Sequence, residues 1–169
     1  MPQTSDTSPS DRSPPDRSAA DAVWRDYCAA TGVDPGSRCD VYAFGDSPAL
    51  ADELLTLVLD GPKRATAGLV SDFERDGEEL PVVGGHAVVL DGRGDPRCVL
   101  RTTDIEVRPM NLVDERFAWD EGEGDRSLSW WLDAHRRYFT RTAAARGETF
   151  DDAEPCVFER FELVWPKAD

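Results

Sequence analysis

Apolar residues recur at helical spacing in three stretches of the chain and alternate with polar residues in four others. Val23, Trp24, Tyr27 and Cys28 fall every three to four positions before Gly32 and Pro35, which predicts a short helix docked on a core. A brief strand follows at Cys39-Asp40-Val41-Tyr42-Ala43-Phe44 and ends in Gly45-Asp46. The next segment reads as an amphipathic helix. Ser47 suits its N-cap, Pro48 its first turn, and Asp52 and Glu53 the positive end of its dipole. Leu50, Leu54, Leu57 and Val58 line one face, and Gly61 stops it. Beyond it the period drops to two. His86–Leu90 and Cys98–Val107 are predicted strands of a hairpin whose turn is Asp91-Gly-Arg-Gly-Asp-Pro96. A short helix is expected over Leu112–Ala118. Ser127–Arg146 is the strongest helix, with Leu128, Trp131, Leu132, His135 and Phe139 on one stripe and Gly147 as terminator; Asp125 or Ser127 would cap it. The last strand, Cys156–Trp165, is expected to bury Val157, Phe161, Leu163 and Trp165 on the face that also carries Glu159.

Strands without regular alternation with helices indicate an α+β domain, closed most simply as a strongly bent sheet or small β-barrel with flanking helices. At 169 residues one core is expected. Residues 1–18 hold four Pro, five Ser and two Thr, with Met1 as the only large apolar side chain. With no apolar surface to offset ordering entropy, they are expected to form a disordered tail, leaving residues 19–169 as a single domain with an N-terminal docking helix. No apolar run approaches the roughly 20 residues a membrane helix needs, and no basic and apolar leader opens the chain, so a cytoplasmic protein is expected.

Charge narrows the function classes. With 19 Lys and Arg against 34 Asp and Glu, the net charge is −15, which opposes wide coating of nucleic acid but not a local basic groove or a small uncharged ligand. Cys28, Cys39, Cys98 and Cys156 form no C-x-x-C pair and have only His86 and His135 to assist. Buried thiols are expected, with no metal and no cofactor.

Only two cations are Lys, and Lys167 is near the end; Lys63 sits in the turn Gly61-Pro-Lys-Arg-Ala-Thr66. An amine, unlike a guanidinium, can lose its proton when desolvated and act as base or nucleophile. The plain alternative is a surface lysine in a helix-to-strand turn. Thr66 supplies a hydroxyl three residues on, yet i and i+3 of a regular strand face opposite ways, so the pair meets only if the backbone bends near Arg64. Asp114–Asp125 carries six acidic side chains against Arg116 alone, with Gly122 and Gly124 between carboxylates. It reads either as a solvated acidic loop or as a loop able to approach a ligand closely. The long helix reverses the sign: Arg137 and Arg141, one turn apart, suit a phosphate backbone, with Trp130 or Tyr138 as a stacking ring, or else neutralise the acidic loop. Glu159 on an apolar face is expected to pair with an Arg, and His135 to be a hydrogen-bonded core residue.

Together Phe44-Gly-Asp-Ser47, Gly61-Pro-Lys-Arg-Ala-Thr66, Leu90-Asp-Gly92, Glu121-Gly-Glu-Gly-Asp-Arg-Ser-Leu128 and Cys156-Val-Phe-Glu-Arg-Phe161 resemble the ASCH domain family, over about residues 39–165. The resemblance implies a PUA-like fold, a small β-barrel with a cleft suited to RNA or nucleosides. Many members are presumed RNA binders, some resemble ribonucleases, and a small bacterial branch hydrolyses the acetyl amide of 4-acetylcytidine with a K-x-x-T pair and a Glu. Lys63 and Thr66 match that spacing; Glu121 aligns with the Glu, and Glu123 is the near alternative. Phe44, Asp46, Arg64, Arg126, Arg137 and Arg141 are the implied ligand contacts. The chain departs from the family pattern at Gly85-His86, where an acidic residue is common, and at Ala67–Phe73, which lacks a frequent Trp.

The implied function is binding of RNA or a nucleoside in a cleft around Lys63, Thr66 and Glu121. Two hydrolytic alternatives accompany it: amide hydrolysis of an acylated nucleoside such as 4-acetylcytidine, and cleavage of single-stranded RNA. In the amide mechanism Lys63 would take the Thr66 proton, Thr66 would attack the carbonyl, and Glu121 would protonate the leaving base nitrogen. A field as negative as this one favours a charged lysine, which would instead stabilise an oxyanion or a phosphate.

Overall fold

The computed structural model describes residues 17–166. The expected tail lies outside the described residues except for Arg17 and Ser18, and Ser18 already opens helix α1 (Ser18–Thr31). Gly32, at a φ of 79°, ends that helix with its N–H on the Cys28 carbonyl. Strand β1 (Cys39–Tyr42) is two residues shorter than expected, because the chain leaves the ladder to turn at Gly45, φ 75°. Helix α2 (Pro48–Asp60) starts as the sequence predicts: Ser47 Oγ accepts the Leu50 N–H at 3.2 Å. Strand β2 (Ala65–Leu69) runs into helix α3 (Val70–Asp76), which buries no side chain and so carries no apolar period to betray it. The hairpin is formed by β3 (His86–Leu90) and β4 (Pro96–Pro109). The short helix expected over Leu112–Ala118 splits into a 3-10 turn, Met110–Leu112, and α4 (Glu115–Glu121), capped by Asp114 on the Phe117 N–H. Helix α5 (Leu128–Ala144) is capped by Ser127 Oγ on the Trp130 N–H, and β5 (Pro155–Trp165) closes the domain.

The five strands form one mixed sheet in the order β1-β3-β4-β5-β2; β1 and β3 are parallel and every other pair antiparallel. The edge strands β1 and β2 do not pair with each other, so the barrel is not closed. Helix α2, which connects the two edges, packs Leu54, Leu55 and Val58 against Val89, Cys98, Leu100 and Phe161, and an apolar helix rather than a ladder covers that face. Helix α1 covers the opposite face at Val88, Leu90 and Val99, the neighbours of those residues in period two. A third cluster joins α4 and α5 to the β2 end of the sheet through Phe117, Trp131, Phe139 and Phe158.

The alternation predicted for β5 fails at its end. Leu163 pairs with Leu100 and Trp165 with Val99, so Val164 is an extra residue in the ladder. This bulge sends Val164 and Trp165 together to the α1 cluster, while Phe161 and Leu163 stay with α2.

Candidate functional site

The turn after α2 is what aims Lys63 inward. The Lys63 N–H donates to the Leu57 carbonyl at 3.2 Å, closing the helix end. Arg64 fixes the next peptide. Its Nη1 donates to the carbonyls of Val58 at 3.0 Å and Lys63 at 2.7 Å, and its N–H donates to the Asp120 carbonyl at 2.8 Å. A guanidinium nitrogen donating to helix-terminal carbonyls anchors the turn, so Arg64 has a structural role here. With the backbone held on both sides, the Lys63 side chain runs into the interior and is 0% exposed.

The acidic loop meets it there. Gly122 and Gly124 have φ of 70° and 56°, conformations that favour glycine. Gly122 lies on the Pro62–Lys63 backbone and Gly124 on the Trp130 indole, closer than a Cβ would permit. Glu121 and Glu123 are thereby delivered to the same ammonium. Lys63 Nζ donates to Glu123 Oε1 at 2.7 Å and to the Ala65 carbonyl at 2.8 Å, and lies 3.7 Å from Glu121 Oε1.

Glu121 is 2% exposed and has its own partners in α5. Trp131 Nε1 donates to one of its oxygens, and His135 Nε2 lies 3.0 Å from the other. The second imidazole nitrogen, Nδ1, is 2.9 Å from the Trp131 carbonyl, which can only accept. Both nitrogens thus face acceptors, an arrangement that favours the imidazolium form, and the ring is stacked on Trp131 with centroids 3.7 Å apart. Burial pulls its pKa down, but the Glu121 charge and hydrogen bond outweigh that and raise it. Burial would likewise raise Glu121; His135 and Lys63 overcome it and hold its carboxyl at about 2. Glu123 goes the other way: burial raises its pKa, and the neighbouring Glu121 adds to the rise against the pull of Lys63. Two carboxylates two residues apart are thus driven in opposite directions, the pattern that separates a fixed anion from a group able to exchange a proton.

Aromatic and polar groups surround the cluster. Phe44 lies 5.4 Å from Lys63 Nζ, packs edge-on to Tyr42, and contacts Phe161. Thr66 stands in register with Glu159 across the β2–β5 ladder and is not among the hydrogen-bond partners of Lys63. Thr66 is a regular ladder residue, and no hydrogen bond joins it to Lys63 among the described residues. Glu159 accepts a 2.6 Å hydrogen bond from Thr102 Oγ1, with no Arg partner; burial raises its pKa. The guanidinium expected beside it belongs to its neighbour: Arg160 binds Asp120 and Asp104. Glu159 and Asp40 contribute to holding the Tyr42 hydroxyl well above the usual range, behind the larger effect of burial.

A family model for the ASCH domain matches residues 40–165, a span that includes every residue of this cluster. The chain belongs to the ASCH domain family. The solved ASCH domain from Lactobacillus crispatus JV V101 is 31% identical, superposes with a TM-score of 0.74, and the match covers 85% of this chain and 92% of that one. A protein from Enterococcus faecalis V583 is 33% identical with a TM-score of 0.76, covering 85% and 86%. A hypothetical protein at 12% identity and a TM-score of 0.52 shares the fold. No curated protein matches.

The remaining ligand contacts implied by the ASCH resemblance lie outside the Lys63 cluster. Arg141 forms a two-pronged ion pair with Asp46, both bonds 3.1 Å, which ties α5 to the turn before α2. Arg137 is exposed on α5. Arg126 covers the Trp119 ring at 3.7 Å. Among the described residues no group of three or more His, Cys, Asp or Glu is placed to hold a metal ion, and no helix is long and apolar enough to cross a membrane.

Three site residues of this ASCH domain escaped the sequence reading in their roles. His135 and Trp131 sit on the apolar stripe of α5, and period alone reads them as core. A signal was nonetheless present: a His on that stripe needs a buried hydrogen-bond partner, and Glu121 precedes it at the end of α4. Tyr42 gave none beyond being a strand aromatic.

Proposed function

We propose that this ASCH protein binds an RNA base or nucleoside in the cleft around Lys63 and Glu123, walled by Phe44, Tyr42, Thr66 and Glu159. The observation that carries the reading is the fully buried Lys63 ammonium held 2.7 Å from a carboxyl that burial pushes up. A carboxyl held beside an ammonium in the interior is a hydrogen-bonding group for a base edge, and Glu159, its pKa likewise raised by burial, places a second carboxyl among aromatic side chains. Family membership supports an RNA-associated role, since ASCH domains are generally regarded as RNA-binding. The net charge of −15 limits the ligand to one or a few nucleotides. Lys63 serves in this reading as the charge that orients Glu123, and Glu121 as the anion that fixes Lys63.

Glu123 beside Lys63 also favours a second reading, hydrolysis of an acylated nucleoside: Glu159, in register with Thr66, takes the hydroxyl proton as Thr66 attacks the amide carbonyl, Glu123 rather than Glu121 protonates the departing exocyclic nitrogen, and water then releases the acyl group from Thr66. One experiment separates them. Wild type, Lys63→Ala and Glu123→Gln are incubated with acylated nucleosides and short unstructured RNAs, products are weighed by mass spectrometry, and ligand retention is measured by equilibrium dialysis. Binding without a mass change, lost in Glu123→Gln, is expected. Deacylation by wild type alone replaces it with the second reading, and neither retention nor turnover overturns both.

A further inference from the structure

The loop that delivers Glu121 and Glu123 also builds a feature on its outer side that the buried cluster does not use. Trp119 is 56% exposed and is the one aromatic among the strongly exposed large apolar side chains of the described residues. Arg126 closes the loop over it: its Nε donates to the Trp119 carbonyl at 2.9 Å, its N–H donates to the Glu123 carbonyl at 3.0 Å, and its guanidinium lies 3.7 Å from the indole centroid. Arg126 enters no ion pair among the described residues, although the chain is rich in carboxylates. Its φ of 65° is the only positive value of a non-glycine residue among them. Backbone strain retained at an arginine, where glycine would be relaxed, points to a use for the side chain.

From this geometry we infer that Trp119 and Arg126 form a stacking and phosphate-binding platform for the nucleotide next to the one in the Lys63–Glu123 cleft, so that the ligand is single-stranded RNA rather than a free nucleoside. The inference rests on the proposed function and deepens it. An indole stacks on any base, a guanidinium supplies both a planar face and a phosphate contact, and one cation suffices where the global field permits only a few phosphates. Trp119 lies on α4 just before that loop and Arg126 stands within it three residues after Glu123, so the platform flanks the segment that places Glu123.

The test compares affinities of the full chain for short oligocytidylate, oligoadenylate and oligouridylate with those for the matching 5′-mononucleotides. Trp119→Ala is expected to weaken oligonucleotide binding about ten-fold and to leave mononucleotide binding unchanged, while Trp119→Phe restores it. Arg126→Gly is expected to weaken the oligonucleotide and lower its salt slope by about one, without lowering the thermal midpoint, because it relieves the strained φ. Unchanged oligonucleotide binding in both variants, with Glu123→Gln weakening every ligand, overturns the platform and leaves the cleft standing. If wild type retains neither oligonucleotide nor mononucleotide, the cleft reading falls and the platform with it.

Discussion

Gly122 lies against Lys63 so closely that a Cβ at position 122 would fall 2.7 Å from the Lys63 nitrogen and 2.9 Å from its Cα. The glycine is needed twice over, for this contact with backbone and for its φ of 70°. Gly147 has a similar φ, 72°, with nothing within 4 Å of its would-be Cβ, and serves as the control for strain alone. Gly147→Ala should cost about 1 kcal/mol and Gly122→Ala at least ~3 kcal/mol in urea unfolding, since backbone cannot move aside as a flexible side chain does. Equal losses would remove the close approach as the reason for the glycine.

Removing one partner of the buried cluster leaves the others uncompensated. Lys63→Met should destabilise by roughly 3–5 kcal/mol, because Glu123 is left inside without its cation and Glu121 keeps only His135 as a charge partner. Adding Glu123→Gln to it should cost less than the sum of the single changes, with a coupling of about 1–3 kcal/mol in a double-mutant cycle. Additive losses would mean that the 2.7 Å contact contributes no stability of its own.

The opposed carboxylates give the fold a signature in acid. Glu121 is held at about 2, below its ordinary 4.5, so the stability it contributes is present above 4.5 and lost as pH falls toward 2. Glu123 is raised and acts with the opposite sign, recovering stability as it protonates. Wild type and Glu121→Gln should therefore diverge in unfolding midpoint at neutral pH and converge as the pH approaches 2. His135, raised above 6.5, adds a second limb: its contribution is complete below 6.5 and fades as pH rises through its folded value, and Glu121→Gln should abolish that limb too. Parallel curves for the two proteins across both ranges would refute the assignment.

The parts of this domain visible in the sequence are those where one local rule decides. Ser47 and Ser127 cap their helices, the Asp91–Pro96 turn makes its hairpin, and the stripe of α5 faces the core, each from residues a few positions apart. Lys63 and the two acids stood out by chemistry and by the glycines between them. What stayed hidden depends on residues distant in the chain. The sheet stays open with α2 packed on the inner strands β3, β4 and β5, and the end of β5 changes face because of a bulge opposite Val99 and Leu100. The choice of Glu123 over Glu121 as the direct partner of Lys63 was likewise illegible, since it turns on Trp131 and His135 already holding Glu121.

Asp46 and Arg141, both candidate ligand contacts, bond each other in an exposed pair. Such an exposed pair is screened by water and salt, and Arg141→Ala should change stability by no more than about 1 kcal/mol. It should also leave mononucleotide retention unchanged, since the pair lies outside the Lys63 cluster. A strong loss of retention in a folded Arg141→Ala protein would return Arg141 to the binding surface.

The four cysteines offer the last check, because their reactivity follows from burial. Burial pushes the Cys39 thiol up to about 11 and Cys98 up to about 12, and it raises Cys28 and Cys156 as well. A thiolate is the reactive form, so at pH near 8 the native protein should react slowly with a disulfide reagent such as dithionitrobenzoate. Cys39 should lead, being the only one of the four that is not buried. In urea all four should titrate at once, as unpaired thiols do. Fast labelling of Cys98 or Cys156 in the native state would mean that strands β4 and β5 open readily. A sheet that opened so would not keep Glu159 and Thr66 in register.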